Sequence, residues 1–196
     1  MLMKKKLAIF ISGRGSNMEA IIEACNTGVL KDWAEIVLVF SNKPSAAGLE
    51  TAAAAGLPTQ ALPSKGKKRG QFDQEVVELL SNYDLDYIIL AGYMRVLSPT
   101  FVEAYRGKII NIHPADTTQH QGLHAYEWAF EQGLEETKIT VHYVDEGLDT
   151  GSIIAQYPVD LKGVESLEEV EKRGLAVEHA NYSRAIRNIL EQGKHQ

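Results

Sequence analysis

Several features are scarce in this sequence of 196 residues, and each scarcity excludes a class of protein. Cysteine occurs once, at Cys25, which rules out an internal disulfide and a cysteine metal cage. The apolar run from Leu7 to Ile11 is too short for a membrane span or a secretory signal. Lysine and arginine form only short runs and the net charge is -6, so no basic surface for nucleic acid is expected. We therefore expect a cytoplasmic protein that binds neither membranes nor nucleic acids, with Cys25 in the core.

The remaining sequence alternates short apolar runs with longer helical patterns, which is typical of βαβ units. Strands are predicted at 7–12, 35–41, 59–62, 87–91 and 108–112, and helices near 16–27, 46–55, 69–82 and 98–106. Later come a helix near 124–132, strands at 139–144 and 152–161, and a helix at 167–191. The pattern predicts an α/β fold with a Rossmann-like, open, mainly parallel twisted sheet, helices on both faces and a long C-terminal helix.

The organisation along the chain predicts one domain covering residues 1–196, without repeats or linkers. Within it, residues 1–113 would form a phosphate-binding βαβ half, and residues 114–196 would complete the site. The continuously apolar segments 36–40 and 88–90 favour positions at the centre of the sheet, because such strands are covered on both faces. Ser166 and Glu169 predict a capping box at the start of the last helix.

The turn after the first strand has the composition of an anion site. Gly13, Gly15, Ser16 and Asn17 lie between a strand and a helix, where free backbone amides meet the positive end of the helix dipole. The spacing fits neither the dinucleotide fingerprint nor the P-loop, so a phosphate monoester is the better ligand. An ordinary strand-to-helix turn capped by Ser16 remains the alternative.

A second group of polar residues follows the fifth strand. Asn111 and His113 point to one side of an extended segment, at the carboxyl end of the sheet where α/β proteins bind ligands. Asp149, in a later turn-rich loop, is a candidate to reach the imidazole of His113 and raise its pKa. An amide, an imidazole and a carboxylate can stabilise an oxyanion and relay a proton without a covalent nucleophile. The alternative is that all three are ordinary strand-end and turn residues, whose polar groups form hydrogen bonds with the backbone and have no catalytic role.

Four histidines in this region are candidate ligands of a zinc ion. His120 and His124 could share a helix face, and His113 and His142 are the remaining candidates. The sequence has no HExxH pattern, and His113 already has the surroundings of an acid catalyst. We therefore expect no metal site.

Taken together, the motifs resemble the phosphoribosylglycinamide formyltransferase family over nearly the whole chain. The resemblance rests on the segments 11–17 (ISGRGSN), 91–98 (AGYMRVLS), 111–114 (NIHP), 141–144 (VHYV) and 148–151 (LDTG), in this order. It implies transfer of a formyl group from 10-formyltetrahydrofolate, the co-substrate, to glycinamide ribonucleotide in purine biosynthesis. It further implies small-molecule partners only, and a monomer or a homodimer.

The resemblance also implies a role for individual residues of this chain. Asn111 and His113 would carry out the chemistry, with Asp149 raising the pKa of His113. Gly15, Ser16 and Asn17 would hold the ribonucleotide phosphate, and Glu178 would meet its ribose. The folate would be bound by Arg69, Met94, Arg95, Val96, Leu97, Asn111, Asp145 and Asp149.

One segment departs from the family pattern. After Asn-x-His-Pro the family usually continues Ser-Leu-Leu-Pro, whereas residues 115–122 here read ADTTQHQG. Without prolines we expect a more flexible loop, and Asp116 adds a carboxylate near His113 that could raise its pKa or compete with Asp149. The altered loop leaves open another amine acceptor, such as an amino-sugar nucleotide, or hydrolysis of the folate. A non-catalytic sensor of folates or phosphorylated metabolites is the remaining alternative.

Overall fold

The computed structural model describes residues 3–193, and these residues form one seven-stranded sheet with helices on both faces. The strands are β1 Lys5–Ile11, β2 Ala34–Ser41, β3 Thr59–Ala61, β4 Tyr87–Leu90, β5 Ile109–His113, β6 Glu136–Tyr143 and β7 Ile153–Asp160. The helices are α1 Ser16–Asn26, α2 Ala47–Ala54, α3 Arg69–Leu80, α4 Pro99–Ala104, α5 Ala125–Glu131 and α6 Leu167–Gln192. The predicted α/β architecture is confirmed.

The order of the strands determines where a ligand can bind. The sheet runs β3-β2-β1-β4-β5-β6-β7, with β1 to β5 parallel and β6 and β7 antiparallel to their neighbours. The order reverses between β1 and β4, and such a switch point opens a crevice at the carboxyl ends of the strands. The loops after β1, β4 and β5 therefore border one crevice.

Two apolar layers hold the helices against the sheet. Helices α1 and α6 cover one face through residues such as Met18, Ile21 and Ile186, which are completely buried. Helices α3 and α4 cover the other face through Phe72 and Phe101. Cys25 lies in the first layer, as predicted, and burial raises the pKa of its thiol to about 11. That raised pKa keeps the thiol protonated and suits a packing role.

The differences from the predicted elements have physical causes. Strand β4 lies at the centre of the sheet, as predicted. The predicted central position of β2 is wrong: β2 is the second strand, next to the edge strand β3, and its apolar residues are nevertheless mostly buried. Strand β6 begins at Glu136, earlier than its apolar pattern indicates, because its polar first residues pair with β7 up to Asp160. Helix α6 begins as predicted, with the Ser166 hydroxyl oxygen accepting a hydrogen bond from the Glu169 amide at 3.2 Å. Among the described helices, none is long and apolar enough to span a membrane.

Candidate active site

A pocket of about 420 Å³ lies at the carboxyl ends of β4 and β5. The segment after β4 forms one wall with Met94, Val96 and Leu97, and the loop between β6 and β7 forms another with Leu148. Met94 is 62% exposed, so the apolar rim is open to a ligand. Three polar side chains from the predicted catalytic group line the same pocket: Asn111, His113 and Asp149.

Asp149 is the centre of this polar group. One carboxylate oxygen lies 3.3 Å from Nδ1 of His113 and accepts a hydrogen bond from the Gly122 amide at 2.8 Å. The other accepts a hydrogen bond from Nδ2 of Asn111 at 3.4 Å and lies 3.5 Å from Nε2 of His142. Burial alone would raise the pKa of Asp149, but hydrogen bonds from the His142 ring and the Gly122 amide, together with the nearby imidazole of His113, outweigh it and lower the pKa below its ordinary value. The carboxylate is therefore ionised at neutral pH.

His113 is buried between two acceptors. Its Nδ1 faces Asp149, and its Nε2 lies 3.0 Å from the carbonyl oxygen of His120. Burial is the largest influence and lowers the pKa of His113; Asp149 and the His120 carbonyl act in the opposite direction without overcoming it. Asp149 thus acts on the pKa in the predicted direction, but the net pKa lies below the ordinary value because the imidazole is cut off from water.

His142 joins the group, although the sequence indicates it only as a candidate metal ligand. It lies opposite Asn111 in the antiparallel pairing of β5 with β6. Its Nδ1 is 2.8 Å from the Tyr143 carbonyl and carries a proton there. Its Nε2 lies 3.4 Å from Nδ2 of Asn111 and 3.5 Å from the Asp149 carboxylate, so His142 belongs to the same polar group. Over residues 3–193, His, Cys, Asp and Glu side chains form no group of three or more that could hold a metal ion.

Backbone strain is concentrated at this pocket. Within the described chain, only two residues other than glycine have a positive φ, His124 at 63° and Asp149 at 55°. Both line the pocket. Such conformations cost roughly 1–3 kcal/mol and persist where surrounding contacts enforce them, which is typical of functional sites. The strained backbone holds the Asp149 carboxylate toward β5.

The residues of the predicted phosphate cradle lie at the N-terminus of α1 and do not line this pocket. Gly15 (φ 80°) is the N-cap of α1, so Ser16 does not cap this helix as the alternative interpretation required; the left-handed turn favours a residue without a side chain. Ser16 is the first helical residue, and its hydroxyl lies 3.1 Å from Nε2 of His179 on α6. The first amides of a helix have no partner within the helix and can bind an anion.

Glu178 connects the cradle to helix α6. Its carboxylate accepts hydrogen bonds from the Asn17 amide group at 3.4 Å and from the Tyr126 hydroxyl at 2.8 Å. Burial raises the pKa of Glu178, and the two donors only partly oppose this. Neither Tyr126 nor His179 was identified from the sequence, since only the packing of α5 and α1 on α6 brings them here.

The remaining residues predicted to bind the folate lie in different places relative to the pocket. Asp145 lines the pocket and organises its own loop by accepting hydrogen bonds from the Gly147 amide and the Thr150 hydroxyl. Arg95 also lines the pocket, but its guanidinium stacks 4.5 Å above the ring of Phe72. Arg69, in contrast, is the exposed first residue of α3 and is not among the residues lining the pocket.

The unusual loop at 115–122 is tied down by hydrogen bonds, in contrast to the expected flexibility. Asp116 is buried and does not face His113; its carboxylate accepts hydrogen bonds from Thr118, Lys138 and Gln156. Burial would raise the pKa of Asp116, but these donors lower it to about 2. The expected influence of Asp116 on the pKa of His113 through direct proximity is therefore wrong.

Comparisons with known proteins agree with this fold. The chain matches the family described as Formyl transferase over residues 5–186. It is 40% identical over 188 residues to the phosphoribosylglycinamide formyltransferase of Bacillus subtilis, covering 95% of each chain. The trifunctional purine biosynthetic protein adenosine-3 of Drosophila pseudoobscura is 42% identical over 184 residues, 93% of this chain; the chain spans 14% of that relative.

A solved structure is similar over its whole length. The phosphoribosylglycinamide formyltransferase of Bacillus halodurans has a TM-score of 0.91 to this chain, with 39% identity over 96% of this chain and 97% of that one. The fold, the order of the motifs and these similarities lead to one assignment. The chain belongs to the formyl transferase family, among the relatives named phosphoribosylglycinamide formyltransferase.

Proposed function

We propose that this chain transfers the formyl group of 10-formyltetrahydrofolate to the amine of glycinamide ribonucleotide, in purine biosynthesis. The observation that carries the proposal is the Asp149-centred group of Asn111 and His113 at the inner end of an apolar pocket. This group can stabilise a developing oxyanion and move a proton. The names of the relatives support glycinamide ribonucleotide as the acceptor, while the choice of a reduced folate as donor is supported by the apolar pocket.

The pocket fits a reduced folate by size and by chemistry. Its volume of about 420 Å³ and its apolar rim of Met94, Val96 and Leu148 suit a flat heterocycle, and its polar groups are few and convergent. We assign folate contacts to the 94–97 segment and to the loop carrying Asp145 and Asp149. Arg69, exposed outside the pocket, would contact only a part of the folate that projects toward α3.

The acceptor would bind in the crevice next to the folate. The amides of Gly15, Ser16 and Asn17 offer an anion site for a phosphate monoester. Glu178 would accept hydrogen bonds from the ribose hydroxyls once its contacts with Asn17 and Tyr126 rearrange. The acceptor amine would then extend toward β5.

The reaction proceeds by direct attack. The amine nitrogen forms a bond to the formyl carbon, whose carbonyl electrons move to oxygen. Nδ2 of Asn111 and the Nε2–H of His113, whose present acceptors are Asp149 and the His120 carbonyl, would turn to this oxyanion when the ligands bind and stabilise it. The carbonyl reforms as the bond to the folate nitrogen breaks, and one proton passes from the attacking nitrogen to the leaving nitrogen.

The surroundings of His113 suit a proton relay. Because burial lowers its pKa, the imidazole is mostly neutral at pH 7 and can accept a proton. The ionised Asp149 at 3.3 Å then stabilises the imidazolium until the proton is passed on. His113 needs only to alternate between its two protonation states.

The function is tested by measuring tetrahydrofolate release with three acceptor conditions: glycinamide ribonucleotide, an amino-sugar nucleotide, and no acceptor. We expect release that requires the ribonucleotide. Release with the amino-sugar nucleotide, or without an acceptor, would replace the proposal by a related transferase or a hydrolase. No release in any condition would favour a sensor.

A further inference from the structure

The loop between β5 and α5 contains a hydrogen-bond network that reaches the catalytic histidine. Asp116 accepts hydrogen bonds from the Thr118 amide at 3.0 Å and the Thr118 hydroxyl at 2.7 Å. It also accepts from Lys138 on β6 at 3.1 Å and from Gln156 on β7 at 3.2 Å. A carboxylate with this many donors fixes its loop to both strands.

The same residue fixes the position of His120 through its backbone. The Asp116 carbonyl oxygen accepts hydrogen bonds from the amides of Gln119 and His120, each at 2.9 Å. These bonds form a tight turn that ends at His120. The carbonyl of His120 then faces Nε2 of His113 at 3.0 Å. A continuous path therefore runs from strands β6 and β7 through Asp116 to the imidazole.

We infer that Asp116 is a positioning residue, which holds the 116–120 turn so that the His120 carbonyl fixes the orientation and the proton of His113. The part of this inference that concerns turnover rests on the proposed function. The part that concerns the imidazole stands on the geometry alone. A leucine, as in the family's usual Ser-Leu-Leu-Pro, could not accept these hydrogen bonds.

The electrostatic consequence follows from the partners of His113. Asp149 faces its Nδ1, the His120 carbonyl faces its Nε2, and the rings of His142 and His120 are the other titratable groups nearby. Both direct partners are acceptors, so only the imidazolium can donate to both. Asp149 and the His120 carbonyl raise the pKa of His113, while burial, His142 and the ring of His120 lower it. Loss of the turn should therefore lower the pKa further.

The primary test is an NMR titration of the His113 ring nitrogens in Asp116→Ala, without substrates. We expect the His113 titration to move to lower pH and the imidazole to lose its fixed Nε2 proton. Asp116→Asn should restore most of the wild-type behaviour, because its side-chain oxygen can still accept from Thr118. Asp160→Ala is the matched control. The Asp160 carboxylate also accepts a hydrogen bond from a loop amide, that of Lys162 at 3.0 Å, but Asp160 does not line the pocket. Wild-type His113 titration in folded Asp116→Ala would overturn the inference.

Kinetics give a second readout. In Asp116→Ala we expect kcat to fall about tenfold or more, the effect of one hydrogen bond to a charged group, with KM changed little. Because the neutral imidazole of His113 accepts the proton, the acidic limb of the kcat profile should shift to lower pH together with the NMR titration. A rise in KM at constant kcat would instead indicate a binding role and overturn the inference.

A second variant covers the case that Asp116→Ala does not fold. Lys138→Met with Gln156→Ala removes the strand donors and leaves the contacts within the turn. Folding is checked by thermal unfolding, and the same shift of the His113 titration is expected. An unchanged titration in this folded variant would contradict the inference, even if the protein showed no formyl transfer at all.

Discussion

At the scale of single residues, the site depends on one carboxylate with several partners. Asp149 contacts His113, His142, Asn111 and the Gly122 amide, and its backbone is held at φ 55°. The sequence indicates His113 because it follows the predicted fifth strand, and Asp149 because it lies in a turn-rich loop between two later predicted strands. The sequence does not indicate that burial lowers the pKa of His113 more than Asp149 raises it. How deeply a side chain is buried depends on the packing of the folded chain.

Asp149→Asn tests this role with little change in shape. Asparagine tolerates a positive φ, so the loop should keep its conformation. Without the carboxylate, the imidazolium of His113 loses its main stabilising charge, and its pKa should fall further below the ordinary value. We expect kcat to drop about 100-fold, as for loss of one preorganised electrostatic contact. The check is kcat against pH; a rate close to wild type at every pH would exclude the relay.

Glu178→Gln should separate stability from binding. Because burial raises the pKa of Glu178, its stabilising contribution is complete below its unfolded pKa and is lost as pH rises through the folded value. A neutral glutamine removes this loss, so the free energy of unfolding at pH 7 should increase. Affinity for the ribonucleotide should decrease, because the amide is a weaker acceptor for ribose hydroxyls. Denaturation and KM measure the two effects; lower stability with unchanged KM would contradict the assignment.

At the scale of elements, the patterns predict the strands and helices better than their ends. The buried parallel strands are predicted because they are continuous apolar runs, whereas β6 begins early through pairing that only β7 supplies. Helix α1 begins at Ser16, as predicted, with Gly15 as its N-cap. Propensity identifies an element, while neighbouring chain segments set its boundaries.

The N-terminus of α1 is tested by comparing two glycines. Gly15 and Gly56 have similar positive φ angles, 80° and 77°, so alanine should cost similar strain at both. A Cβ at Gly56 meets open space, whereas at Gly15 it lies 3.0 Å from Cε of Met18. We expect both variants to lose some stability, but only Gly15→Ala to weaken acceptor binding, by roughly tenfold. Equal KM values in the two variants would argue against a phosphate site here.

At the scale of the whole molecule, the order of the motifs along the chain predicts the fold class but not every contact across the sheet. The first five strands follow a βαβ rule that makes them parallel. The antiparallel return of β6 places His142 opposite Asn111, and nothing local to either residue predicts this register. Likewise, Asp116 was expected near His113, but its partners on β6 and β7 turn it away.

Acid stability reports on these tertiary contacts. The pKa of Asp116 is lowered to about 2 and that of Asp149 is also lowered, so both stabilise the fold above their unfolded pKa. This stabilisation should be lost as pH falls through the folded values. Asp116→Asn should therefore flatten the fall in unfolding free energy between about pH 4 and pH 2, relative to wild type. Asp84→Asn, which changes a 92% exposed side chain, is the control. Identical slopes in wild type and Asp116→Asn would contradict the Asp116 network.

The most direct test of direct formyl transfer at His113 is a single turnover with a ¹³C-formyl donor and glycinamide ribonucleotide, followed by NMR for wild type and His113→Ala. The account predicts that the label moves from the folate to the ribonucleotide amine in wild type. In His113→Ala it should stay on the bound folate, with transfer slowed about 100-fold or more. Transfer at the wild-type rate in His113→Ala, or appearance of the label as formate, would contradict the account.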